Sequence, residues 1–217
     1  MSGVAIFVKT PGHSPVKTRL AADRGQAWTE AWYRRAAAAV AAVARATIAT
    51  SYWAVAEPEA IATGAWPDLP AIAQGDGGLG SRMARVHAEL VGRHGGGVLL
   101  GADAPQITVD LLVEALDWLA SPSPRLVLGP SRDGGFWLFG ANVAPPEGVW
   151  TSVPYSIATT ATDFRAALAP YGAWHTLATL TDADHGPDLD LVLNELRALP
   201  APLPEQRALA TWMAGEE

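Results

Sequence analysis

Val98-Leu99-Leu100-Gly101-Ala102-Asp103-Ala104-Pro105-Gln106-Ile107-Thr108 is the stretch from which the fold is read. An apolar run suited to a buried parallel strand passes straight into a Gly, a lone carboxylate and a Pro, and a helix opens near Thr108. In an open α/β sheet, ligands bind outside the carboxyl ends of the strands. A single Asp held there suits a hard divalent cation and the phosphates it carries. Asp103 can equally serve as a turn residue ahead of the next helix.

The same strand-then-polar-loop pattern recurs on both sides of this stretch. Residues 3–8 are apolar and read as a central strand, followed by Lys9-Thr10-Pro11-Gly12-His13-Ser14-Pro15-Val16-Lys17-Thr18-Arg19-Leu20. Its hydroxyls, free N–H groups and the cations Lys9, Lys17 and Arg19 suit a pyrophosphate. Neither the P-loop spacing nor the G-x-G-x-x-G fingerprint is present. Residues 26–48 read as one helix with Trp28, Trp32, Ala36, Val40 and Val43 on its apolar face. A strand at 51–56 and a short one at 71–73 follow. Gln74-Gly75-Asp76-Gly77-Gly78-Leu79-Gly80-Ser81-Arg82-Met83 is next, a glycine-rich loop opening a helix. It offers close backbone approach at Gly75 and Gly80, and contacts to a base or phosphate from Gln74 and Arg82. His87 and His94 read as exposed residues of that helix.

Downstream, 109–119 reads as a helix and 126–130 as a strand. The Asp133-Gly134-Gly135 turn then leads into alternating large apolar residues, the signature of a hairpin. Gly134 and Gly135 would let a ligand lie against the backbone, with Asp133 accepting from sugar hydroxyls and Trp150 grouped on the same sugar or acceptor side. A Pro-rich loop at 144–148, a helix reaching about residue 171 and a strand at 174–180 precede Thr181-Asp182-Ala183-Asp184-His185-Gly186-Pro187-Asp188. Asp182 and Asp184, two apart on extended chain, point the same way and could complete a metal site with Asp103. Asp188 could instead start a last core helix. Residues 200–217 read as a peripheral C-terminal tail with its helix at 204–214, whose Leu209 and Trp212 serve either packing onto the domain or self-association, a possible homodimer.

The length of 217 residues fits a single α/β domain, and 49% hydrophobic against 17% charged residues excludes a disordered chain. A net charge of −7 argues against a nucleic-acid binder. The basic residues of the first loop stand out against that acidity and point to a small anionic ligand. With no Cys, disulfides and thiolate chemistry are excluded, which fits a cytoplasmic protein. No signal peptide or membrane span is read, so no membrane partner is expected.

Taken together, the segments 7–21, 74–83, 101–105, 128–140 and 182–189 resemble a group of the GT-A superfamily. Its members are nucleotide-diphospho-sugar transferase-like proteins, some assigned to arsenosugar biosynthesis as glycosyltransferases. The resemblance covers nearly the whole chain to about residue 196. It implies a Rossmann-like GT-A fold with a mixed, mostly parallel central sheet flanked by helices. It also implies a nucleotide over the first loop and Mg²⁺ or Mn²⁺ on Asp103, with Asp184 matching a second metal carboxylate. Lys17 and Arg19 would take remaining phosphate charge, and Asp133 would orient the sugar or act as base toward a small-molecule acceptor. The expected function is metal-dependent glycosyl transfer from a nucleotide-diphospho-sugar. The alternatives are nucleotidyl transfer from an NTP to make a nucleotide-linked sugar or cofactor precursor, and a nucleotide-binding protein without catalysis.

Overall fold

Strand β1 (Gly3–Val8) shows how the sequence builds its layers. Val4, Ile6 and Val8 belong to one hydrophobic cluster and Ala5 to another, because successive strand residues point to opposite faces. β4 (Gly97–Gly101) repeats this, with Val98 and Leu100 on the first face and Leu99 on the second. Both faces are covered, so the strands read as unbroken apolar runs rather than alternating ones.

The computed structural model describes residues 2–215; Met1 and residues 216–217, the end of the expected 200–217 tail, lie outside the described residues. After β1 come α1 (Thr18–Arg24), α2 (Gln26–Arg45), β2 (Ser51–Val55), α3 (Pro58–Ala62), β3 (Ala71–Ala73), α4 (Leu79–His94) and β4. Then follow α5 (Val109–Leu119), β5 (Arg125–Pro130), β6 (Phe136–Ala141), α6 (Glu147–Thr151) and α7 (Thr160–Leu168). β7 (Ala173–Thr176), α8 (Gly186–Arg197) and α9 (Pro204–Ala214) complete the chain. The seven strands lie in the order β3-β2-β1-β4-β6-β5-β7. β6 runs against β4 and β5, and the remaining pairs are parallel. This is the mixed, mostly parallel Rossmann-like sheet of a single domain. No helix among the described residues is long and apolar enough to cross a membrane.

The loops after β1, β4, β5 and β7 therefore all open at one edge of the sheet. A parallel bridge between Ser131 and Leu180 carries the chain after β7 alongside the β5–β6 turn, which is how Asp182 and Asp184 arrive there. The first core packs α2 and α5 on the sheet, and the alanines of α2 (Ala36, Ala37, Ala41 and Ala44) are all buried in it. The second core gathers Phe139, Trp150 and Phe164 with edge-on ring contacts.

Several expectations change in three dimensions. The long helix stops at Arg45, and the first loop ends early because α1 begins at Thr18. The Pro-rich loop gives way to α6, and the next helix starts only at Thr160, because Ser156 sits in the left-handed region (φ 64). His87 is not exposed: it is fully buried against Phe139 and Trp150. His94 is half-buried and shares a hydrogen bond with the Tyr52 hydroxyl. Leu209 is buried and Trp212 stacks on Trp28 with centroids 4.9 Å apart, so this face of α9 packs on the domain.

Candidate active site

The carboxyl edge of the sheet encloses a cleft of about 1190 Å³ lined from all four of these loops. At its centre lies Lys17, the residue before α1, held in the left-handed conformation (φ 43, ψ 52). Its ammonium is 2.7 Å from Asp103 Oδ2, 2.7 Å from Asp182 Oδ1 and 2.9 Å from Asp184 Oδ1. Arg19 Nη1 reaches the other oxygen of Asp184 at 3.1 Å. One buried cation thus gathers three carboxylates supplied by two loops far apart in sequence.

The charges move one another. Burial works against the Lys17 ammonium, but Asp103, Asp182 and Asp184 outweigh it and hold the pKa well above the usual lysine value. Burial also lifts the Asp182 carboxyl, and Asp103 and Asp184 add to this against the pull of Lys17, bringing it to about 7. For Asp184 burial is outweighed by Lys17 and Arg19, and its pKa falls below the ordinary aspartate value. Asp182 and Asp184 belong to a second grouping as well. One oxygen from each, with one from Asp133, lie within 4.8 Å of one another, a donor set of hard oxygens.

Each carboxylate is placed by its surroundings. A side chain at Gly101 would put its Cβ 2.8 Å from Asp103 Oδ1, so glycine at the strand end leaves the carboxylate its room. Asp133 Oδ1 accepts from the Gly135 amide at 3.0 Å, fixing it at the tip of the β5–β6 turn. Asp188 accepts from the amides of Asp184 and His185 (3.1 and 2.7 Å), so it caps α8 and orients the Asp184 backbone. Glu195 on α8 accepts from Thr181 Oγ1 (2.7 Å) and from Gln106 Nε2 (2.9 Å), and Gln106 also donates to the Thr181 carbonyl. Arg132 reaches both Thr181 and Glu195. This network, reaching from the loop after β4 to α8, sets the position of Asp182.

Of the residues singled out from sequence, Lys9, Lys17, Arg19, Gln74, Arg82, Asp103, Asp133, Gly135, Asp182 and Asp184 line the cleft. Gln74 is nearly buried, and its amide bridges the Val8 and Ala54 carbonyls across the ends of β1 and β2. Six others do not reach the cleft. Thr10 is buried, its hydroxyl accepting from Trp66 Nε1 and its amide donating to Glu57. Pro11 is buried too. Gly75 leaves room for the Arg85 guanidinium, which donates to the carbonyls of Gln74 and Asp76 and braces this loop. Gly80 admits the Trp150 carbonyl and the Tyr155 ring, and Gly134 admits the Ala158 carbonyl. Trp150, expected beside the sugar or acceptor, is a fully buried core residue.

Sequence reading missed the bracing side chains Tyr33, Arg85, Gln106, Arg132 and Glu195. Tyr33 lies on the cleft wall, where its hydroxyl accepts from the Lys9 amide. Only Gln106 and Arg132 carried a sequence signal, since both directly follow a strand-end motif.

These observations define a Rossmann-like α/β domain with a charged cleft at the carboxyl edge of its mixed sheet. The chain belongs to the DUF2064 family, described as an uncharacterized protein conserved in bacteria; the family profile matches residues 33–157. That region carries Asp103 and Asp133, while Lys17, Asp182 and Asp184 lie outside it. Among solved structures, a Desulfovibrio desulfuricans G20 protein provisionally described as a nucleotide-diphospho-sugar transferase superposes with a TM-score of 0.81. The identity is 22%, over 98% of this chain and 99% of that one. A protein from Mycobacterium sp. strain JC1 shares 15% identity over 90% and 98% of the chains, with a TM-score of 0.53. A Bacillus anthracis protein, provisionally a glucose-1-phosphate thymidylyltransferase and solved with sucrose, gives 0.52 at 10% identity over 94% and 98%. No curated protein matches the chain.

Proposed function

We propose that this protein is a metal-dependent transferase acting on a nucleotide-diphospho-sugar, with glycosyl transfer as its reaction. The observation that supports this best is the meeting of Asp103, Asp133, Asp182 and Asp184 with Lys17 and Arg19 in one cleft at the carboxyl edge of the sheet. The carboxylates are suited in type and spacing to a hard divalent cation, Mg²⁺ or Mn²⁺. Asp182 and Asp184 would hold it, with Asp103 from the Lys17 side; when bound, it would neutralise the diphosphate leaving group. With a cation on these carboxylates, Lys17 would be released toward the phosphates, alongside Lys9, Arg19 and Arg82. Gln74 and Gly135 shape the walls on either side. Asp133, on the exposed turn, would take the acceptor's proton. The acceptor oxygen bonds to the anomeric carbon, the bond from that carbon to the diphosphate oxygen breaks, and the electron pair leaves with the diphosphate.

Nucleotidyl transfer is the second reading. It is favoured by the five cations on the cleft wall, Lys9, Lys17, Arg19, Arg82 and Arg132, which suit the higher charge of a triphosphate.

The test is a thermal-shift panel of UDP, GDP, CDP, ADP and dTDP, their common sugars and the NTPs, each with Mn²⁺, Mg²⁺ or EDTA. A positive compound is then followed for turnover. A metal-dependent shift with one diphosphate or its sugar, lost in Asp184→Asn, is the expected result. Release of pyrophosphate from an NTP without a sugar donor would establish the second reading instead. A flat panel under all three conditions would refute both.

A further inference from the structure

The cleft has an apolar wall that the phosphate and metal chemistry leaves unused. Among the described residues, the large hydrophobic side chains that remain exposed are Ile48, Leu79, Val113, Ile157 and Leu191. Three of these, Leu79, Ile157 and Leu191, line this one cleft. Scattered exposed apolar residues need no explanation, but three converging in one concavity do.

Leu79 and Ile157 line the same cleft as Asp133, and each is next in sequence to a residue of a packed contact in that wall. Gly80, next to Leu79, packs against the Tyr155 ring, and Gly134, next to Asp133, packs against the Ala158 backbone. The loop between them is rigid: Thr160 Oγ1 donates to the Pro154 and Ile157 carbonyls and accepts from the Ile157 amide. The Tyr155 hydroxyl is spent on the Trp150 carbonyl at 2.9 Å, so its ring is left as an apolar surface. Phe136, which opens β6 directly after the Asp133 turn, lies tilted against Phe164 with ring centroids 4.9 Å apart and continues the wall. The cleft volume of about 1190 Å³ exceeds the ~300–1,000 Å³ typical of a pocket for one small ligand, which leaves room for a second molecule beside a nucleotide.

We infer that the acceptor is an alcohol carrying an aliphatic or aromatic group, which lies against Leu79, Tyr155, Ile157 and Phe136 while its hydroxyl faces Asp133. This rests on the transferase reading and names the class of its second substrate. A polyol would leave this wall wet and would gain nothing from it.

The experiment titrates 1-propanol, 1-hexanol and glycerol into the protein with Mn²⁺ and the best diphosphate of the thermal-shift panel. Binding is read from the ¹³C-methyl signals of Ile157 and Leu79. Three added methylenes, about half buried, should make 1-hexanol bind about tenfold tighter than 1-propanol. Ile157→Ser and Leu79→Ser, both at exposed positions, should remove that gain and leave the diphosphate shift unchanged. Equal affinities for the two alkanols, with the diphosphate shift intact, would overturn the inference alone. So would loss of the diphosphate shift in the two variants, which would assign the wall to the nucleobase. A wild-type dimer that dissociates in Ile157→Ser would overturn it too, assigning the wall to a second copy. No diphosphate shift in the wild type would sink the transferase reading, and the acceptor with it.

Discussion

Replacing Lys17 by Met tests the centre of the site directly. Met keeps the length and burial of the stem and removes the ammonium that stands within 2.9 Å of Asp103, Asp182 and Asp184. Removing one partner of a buried ion pair costs about 3–5 kcal/mol. The three carboxylates keep between 22% and 30% of their side-chain surface in water. Screening therefore puts the loss at the bottom of that range, about 3 kcal/mol, or about 6–12 °C in Tm for a chain of this size. The loss should depend on pH. Asp182 already titrates near 7 in the folded protein, above the ordinary aspartate value. Lys17 pulls this value down, so without it the carboxyl keeps its proton to higher pH, and the penalty in Lys17→Met grows as the pH rises above 7 and shrinks as it falls toward 7. It should also depend on metal, because a divalent cation replaces the missing charge. At free Mn²⁺ about a hundredfold above its dissociation constant, recovery is about 2.7 kcal/mol. Urea unfolding at pH 8 with Mn²⁺ and with EDTA measures this. Unchanged stability, or a loss that Mn²⁺ and Mg²⁺ leave untouched, would refute the electrostatic account.

Two further outcomes follow from the packing. Burial holds the His87 imidazole down to about 4, softened by the nearby Ala141 and Gly97 backbone, and neither ring nitrogen meets a partner in full hydrogen-bond geometry. With an unfolded value near 6.5, this contribution to stability is complete above about 6.5 and is lost as the pH falls toward 4. His87→Leu should therefore lose about 2 kcal/mol less than the wild type between pH 7.5 and pH 5 in denaturant titrations, and parallel pH profiles would show the ring does not titrate this way. Gly134→Ala combines a φ of +89° with a Cβ only 1.9 Å from the Ala158 carbonyl oxygen. It should cost about 3 kcal/mol and displace Asp133 with the loop that rests on it; a change under about 0.5 kcal/mol by calorimetry would mean the two loops are not locked together.

The layered sheet was legible from sequence because its signal is local. Apolar runs such as 3–8 and 97–101 need burial on both faces, and the Gly, Pro and Asp that end them mark the edge where ligands bind. The extent of α5 and the Asp133 hairpin were readable for the same reason: an N-cap threonine and an Asp-Gly-Gly turn act within a few residues. The glycines misled, since residue type alone does not say what approaches. At Gly75 the neighbour is a guanidinium from the helix that follows, and at Gly80 and Gly134 it is a carbonyl and a ring, or a carbonyl, from more distant chain. Trp150 and His87 misled likewise, because a helix shows which residues share a face but not whether a second layer covers it. Most of all, only the tertiary structure decided that Lys17 sits among the carboxylates rather than open to a phosphate. Asp182 lies 165 residues further along the chain, and their contact follows from the order of strands in the sheet. Local chemistry set the elements and the edge of the site, and long-range packing decided which charges meet there.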